Sequence, residues 1–149
     1  MKKITALATL AITMVMMVAT EACSPSSEDR LKEAIEASNK ECPTSIDHVT
    51  TLTEIKIDGD FVTYMCEIDE RQLDMDSMLS KRATYIQNIH NTVRNQITNP
   101  QSSSGPFFSL IRDAGKGLRH RYRGNNSRKT LDVDISNDEL KQMTHTDTN

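Results

Sequence analysis

The chain reads as an α+β fold: one four-stranded antiparallel sheet with helices on one face, in the order helix–hairpin–helix–hairpin. Three observations predict it. Residues 49–68 and 118–135 alternate apolar and polar side chains, the period of a half-buried strand. Each stretch is split by turn residues, Asp58-Gly59-Asp60 in one and Gly124-Asn125-Asn126 in the other. Each is preceded by a segment with apolar residues three and four apart, the period of an amphipathic helix.

At the start, Lys2 and Lys3 precede an uncharged, mostly apolar run from Ile4 to Ala19. That run is shorter than the roughly 20 residues a membrane-spanning helix needs. A positive start, a short apolar run and small residues at its exit predict a signal peptide over residues 1–22. Cys23 follows Ala22 and precedes a Ser/Pro-rich stretch, an arrangement resembling a lipoprotein processing site. Cys23 is thus the candidate lipidated residue, with 23–27 as a tether. Ordinary cleavage after Thr20-Glu21-Ala22 stands as the alternative, and Thr20 and Glu21 are unusual for the lipoprotein type. Both routes export the protein, to the periplasm or to the outer membrane.

The folded domain is expected over 28–143. Ser26 or Ser27 can cap a first helix, with Glu28 and Asp29 in the turn where the helix dipole favours acids. Leu31, Ala34, Ile35, Ser38 and Cys42 fall at helical spacing, and Pro43 stops it. The first hairpin places Val49, Thr51, Thr53, Ile55 and Ile57 on one buried face, and Val62, Tyr64, Cys66 and Ile68 on the return strand. One long helix is expected from Leu73 to Thr98, its stripe being Met75, Met78, Leu79, Arg82, Ile86, Ile89, Val93 and Ile97; Asn99-Pro100 ends it. Phe107, Phe108, Leu110 and Ile111 suggest one helical turn. Leu118, His120 and Tyr122, then Leu131, Val133 and Ile135, form the second hairpin. Ser136 and Glu139 have capping-box spacing for a brief helix. Residues 144–149 read as a disordered tail.

Composition narrows function. With 18 basic and 21 acidic residues the chain is mildly acidic, which excludes a general nucleic-acid binder. The four histidines are scattered and form no HExxH pair, so no metal site is expected. Neither a Gly-x-Ser-x-Gly elbow nor a Gly-rich phosphate loop occurs, so no catalytic residue and no cofactor is expected, and the chain reads as non-enzymatic. Asp132, Asp134, Ser136 and Asp138 resemble the start of a calcium loop, but Asn137 stands where glycine is required and Met143 where glutamate is. With Cys23 lipidated, Cys42 and Cys66 are the disulfide candidates, closing a loop of about 25 residues at about 3 kcal/mol in the chain-entropy model. The alternative is two separate buried thiols.

The most distinctive feature is basic. Arg112, Lys116, Arg119, Arg121, Arg123, Arg128 and Lys129 are opposed within their run only by Asp113. On a strand, Arg119, Arg121 and Arg123 share one face, about 7 Å apart. Such forks can grip phosphates or carboxylates bidentately, making this a candidate surface for anionic lipid head groups, lipopolysaccharide or an acidic protein partner. The alternative is a solvated strand face paired with Asp132 and Asp134 of the neighbouring strand. Asp76-Ser77-Met78 resembles a short O-glycosylation acceptor of some Gram-negative envelopes, with Ser77 the candidate; a merely exposed serine is the alternative.

Glu41-Cys42-Pro43, Asp47, Thr50-Thr51-Leu52 and Tyr64, then Asp113-Ala114-Gly115-Lys116-Gly117-Leu118-Arg119 and Tyr122, resemble a group of small secreted proteins and lipoproteins of Gram-negative bacteria, over roughly residues 28–136. The resemblance implies an envelope location and no known catalytic activity. Members tend to carry a cysteine where Thr98 stands here, which leaves Cys66 as a substitute partner for Cys42. An inhibitor or immunity protein is a related interaction role, by analogy of fold alone.

Overall fold

The computed structural model describes residues 24–144. The signal-peptide and Cys23 expectations, and residues 145–149 with His145, lie outside the described residues. The chain runs α1 (Ser27–Asn39), β1 (Thr44–Ser45), β2 (Thr50–Asp58), β3 (Phe61–Ile68), α2 (Met75–Ser80), α3 (Arg82–Thr98), α4 (Gly105–Asp113), β4 (Gly117–Gly124), β5 (Thr130–Ile135) and α5 (Asn137–Met143). The class is α+β, as expected. The sheet differs: it has five strands in the order β1-β2-β3-β4-β5, and it is mixed.

The correction centres on β3 and β4, which pair in parallel, from Phe61↔Gly117 to Ile68↔Gly124. Parallel neighbours need a crossover long enough to return the chain to the starting end. The 17 residues of α3 span about 25 Å, and the eight of β3 about 26 Å. One helix therefore carries the chain back along the sheet, and β4 starts beside the start of β3. The hairpins β2–β3 and β4–β5 are antiparallel, as expected.

Other differences are local. The long helix is broken: α2 ends at Ser80, and Lys81 leaves helical geometry, with φ −105 and ψ 20. The predicted stripe included Arg82, which is exposed; the break comes one residue before this charged position. Met75 and Met78 consequently pack on Ile68 and Leu131, while Ile89 and Val93 join the main core. The turn expected around Phe107 is a nine-residue helix, begun by Pro106 in its first turn. In β2 the register shifts between Leu52 and Glu54. This bulge moves the buried set: Thr50, Leu52 and Ile55 point inward, while Thr53 is exposed and donates its hydroxyl to the Met65 carbonyl at 3.0 Å. Strand β1, two residues long, carried no apolar pattern. Asn39 extends its work, because its carboxamide donates to the Ile55 carbonyl and accepts from the Ile55 N–H, each at 2.8 Å, closing the edge of β2.

The main core lies between the sheet and α1, α3, α4 and α5, with Leu31, Ile55, Val62, Tyr64, Ile111, Leu118, Val133 and Leu140 at its heart. The capping box of α5 is present: Ser136 Oγ accepts from Glu139 N–H at 3.2 Å, and Ser136 N–H donates back to Glu139 at 2.7 Å. Cys42 and Cys66 are free thiols, which corrects the disulfide expectation. Cys42 lies at the end of α1 with its thiol turned back on the Ser38 carbonyl at 3.7 Å. Cys66 is buried in β3, where burial pushes its thiol up to about 12.

His120 stacks on Tyr64, centroids 5.0 Å apart, and on Tyr122 at 6.4 Å. Its Nδ1 is buried without a hydrogen-bond partner. Burial lowers its pKa from 6.5 to about 4, so the folded state holds it neutral. The unfolded chain takes up that proton first as the solution is acidified. This contribution is therefore intact above about pH 6.5 and lost as pH falls toward 4, by at most about 3 kcal/mol. Denaturant unfolding of wild type and His120→Phe across that range should show a shallower acid loss in the variant.

Candidate functional site

The buried residues of all five helices pack with the inward side chains of the strands, and among the described residues no helix covers the other side. The alternation that turns Val62, Tyr64 and Cys66 inward turns Phe61, Thr63, Met65 and Glu67 outward on β3. Beside them stand Glu54, Lys56 and Asp58 of β2, Arg119, Arg121 and Arg123 of β4, and Thr130, Asp132 and Asp134 of β5. The arginines thus share one face, as their spacing predicts.

Register decides what they do there. Arg119 lies directly across from Asp134, and Arg121 from Asp132. Arg119 donates Nε and Nη2 to the two Asp134 oxygens at 2.7 and 2.9 Å. Arg121 does the same to Asp132, both at 2.8 Å. Asp132 Oδ2 also lies 3.8 Å from Arg119 Nε, and Asp58 Oδ2 lies 4.0 Å from Arg121 Nη1. The guanidinium of Arg119 rests over the Phe61 ring, 4.3 Å from its centroid. The bonds from Arg121 hold the Asp132 carboxyl below the usual carboxylate range, and Asp134 raises Arg119 further above the arginine value. Long side chains and strand neighbours leave Thr63 with no exposed surface, its hydroxyl unpartnered.

Arg123 differs. It stands opposite Thr130 on β5 and beside Glu67 on β3, is exposed, and makes no ion pair among the described residues. The other cations of the run lie elsewhere. Arg112 pairs with its neighbour Asp113 at 2.9 Å and lines a shallow cleft of about 440 Å³ with Gly115, Asn137, Lys141 and Thr144. Lys116 donates to the Gly59 carbonyl at 2.9 Å and pins the β2–β3 turn. Lys129 pairs with Asp76 at 2.6 Å. One basic run in sequence is therefore divided between the sheet face and three further places in space.

The remaining candidates are simply placed. Ser77 is exposed in the first turn of α2 and donates to Asp74 at 3.2 Å. His90 Nε2 lies 3.1 Å from the Asp134 carbonyl, at the outer edge of β5. No group of three His, Cys, Asp or Glu among the described residues is arranged to hold a metal. Sequence reasoning missed Phe61 as the platform for Arg119 and Asp58 as a third acid; knowing that β3 and β4 are parallel would have revealed the first.

No protein-family model matches the sequence, and no curated protein matches it. Among solved structures, the fold is similar to that of a Pseudomonas aeruginosa protein named as a secreted protein, with a TM-score of 0.57 and 10% identity, covering 76% of this chain and 92% of that one. The pilotin EpsS of the Vibrio vulnificus type 2 secretion system has a TM-score of 0.45 and 14% identity, covering 76% of this chain and 91% of its own. The first likeness shows a shared fold.

Partly exposed ion pairs contribute little singly, but planar two-bond geometry raises the value. A double-mutant cycle with Arg121→Ala and Asp132→Ala should give a coupling of about 0.5–1 kcal/mol that shrinks with added salt. Arg123→Ala should change stability by less than about 0.5 kcal/mol.

Proposed function

We propose that this chain is an exported, non-enzymatic protein of the cell envelope, lipid-anchored through Cys23, which binds another protein on its open sheet face. The paired guanidinium forks carry the reading. An anion can be gripped by Arg119 or Arg121 only by displacing a carboxylate already bound in the same geometry. What the face offers instead is a flat lattice of fixed, alternating charges with Phe61 and Met65 among them. Such a lattice suits electrostatic complementarity with a protein, which sets specificity and association rate. Export is supported by the charged-then-apolar leader and by the fold shared with a protein named as secreted. An inhibitor or immunity role would be the same face serving one tight partner. Arg123, which makes no ion pair among the described residues, favours a second reading in which the partner supplies an acidic group at that corner.

The test keeps the fold and changes the pattern. In Arg121→Asp/Asp132→Arg the pair survives with its polarity reversed. Recovery of a partner photo-crosslinked from Thr53 in intact cells should fall at least about tenfold, with the melting temperature nearly unchanged. A probe at Glu36, on the outer side of α1, should give no adduct. Equal adducts from both positions, or recovery unaffected by the exchange, would remove the face from consideration.

A further inference from the structure

Ser26 caps α1, so only Ser24 and Pro25 separate Cys23 from the folded body. Extended chain advances at most about 3.6 Å per residue, so residue 23 can lie no more than about 11 Å from that cap. The start of α1 belongs to a definite pole of the molecule. Its last residue, Asn39, is bonded to Ile55 midway along β2, and the chain then turns to pair Thr44 with Leu52, nearer the start of that strand. The chain thus moves away from the Asp58–Asp60 turn as it leaves α1, and the 13-residue helix, about 20 Å long, is long enough to extend back to that end of the sheet. α1 packs along α4, and Lys116, following α4, bonds to Gly59 at that end of the sheet. The opposite pole is the β4–β5 turn, where Glu70 accepts from the Asn126 and Ser127 N–H groups at 2.7 and 2.5 Å.

We infer that the pole formed by the start of α1, α4 and the Asp58–Asp60 turn rests on the bilayer, and that the open sheet face stands upright from it. This rests on the reading of Cys23 as the lipid-bearing residue. The occupant of the pole is the lipid surface, and the shortness of the tether, not charge, puts it there: Arg112 and Lys116 are offset locally by Asp58, Asp60 and Asp113. The strands then run along the membrane normal, and the open face looks sideways. Its partner is accordingly a protein that rises from the same membrane.

The experiment uses the full-length protein purified from membranes and reconstituted into neutral phosphatidylcholine vesicles carrying a nitroxide-headgroup lipid. A fluorescent amino acid replaces Asp60 or Asn126. The probe at Asp60 should lose most of its emission, and the probe at Asn126 almost none, unchanged by added salt. A Gly/Ser spacer between Ser24 and Pro25 should relieve the quenching while the protein still floats with the vesicles. Equal or reversed quenching overturns the orientation, as does quenching that survives the spacer. Failure of the wild-type protein to float, or flotation undiminished in Cys23→Ala, defeats the anchor reading itself and the orientation with it.

Discussion

The parallel pairing of β3 with β4 holds the molecule together as one sheet. Each hairpin alone is a two-stranded ribbon, too small to be stable in water. Joined side by side, Val62, Tyr64 and Cys66 continue into Leu118, His120 and Tyr122 as one apolar surface. The joint also fixes where the helices go. The connection from β3 to β4 passes through α2, α3 and α4, all lying over that surface with α1 and α5. Gly117, at the start of the joint, allows the close approach: a Cβ there would meet the Ile135 carbonyl at 2.7 Å and the Phe61 ring at 2.8 Å.

The bare face follows from the same constraint. A crossover confined to one side leaves the other side without cover, so its residues must tolerate water. The chain meets this by surrounding Phe61 and Met65 with cross-strand pairs of opposite charge, and thereby avoids a continuous apolar sheet surface. Arg119 and Arg121 each donate two hydrogen bonds, to Asp134 and Asp132 respectively, so their guanidinium groups are already oriented. The proposed docking on this face draws on that orientation, which lowers the ordering cost of an encounter.

Much of this was legible in the sequence. The alternation of Val62 to Ile68 and of Leu131 to Ile135 gave strands and their buried faces, and the Ser136/Glu139 spacing gave the cap of α5. The shared face of the three arginines, and the acids that could neutralise them, followed from strand period alone. What escaped depends on distant parts of the chain. Parallel or antiparallel pairing of β3 with β4 is decided by the path of some fifty intervening residues, on which no local pattern reports. The bulge at Thr53 reverses the inward set of β2 before it, to Thr50 and Leu52, and leaves Ile55 inward after it, because side-chain alternation has no memory across an inserted residue. The free thiols show the same limit, for the spacing of Cys42 and Cys66 says nothing about where a helix end lies against a strand.

The parallel joint is open to a direct measurement. With Cys42→Ser as background, cysteines at Glu67 and Arg123, neighbours across β3 and β4, should be joined rapidly by a short bis-maleimide. Cysteines at Glu67 and Lys116, which lie at opposite ends of those strands, should not. Efficient linkage of the second combination in place of the first would mean that the two hairpins meet antiparallel, and the one-sided helix layer, the bare face and its charge lattice would all lose their basis.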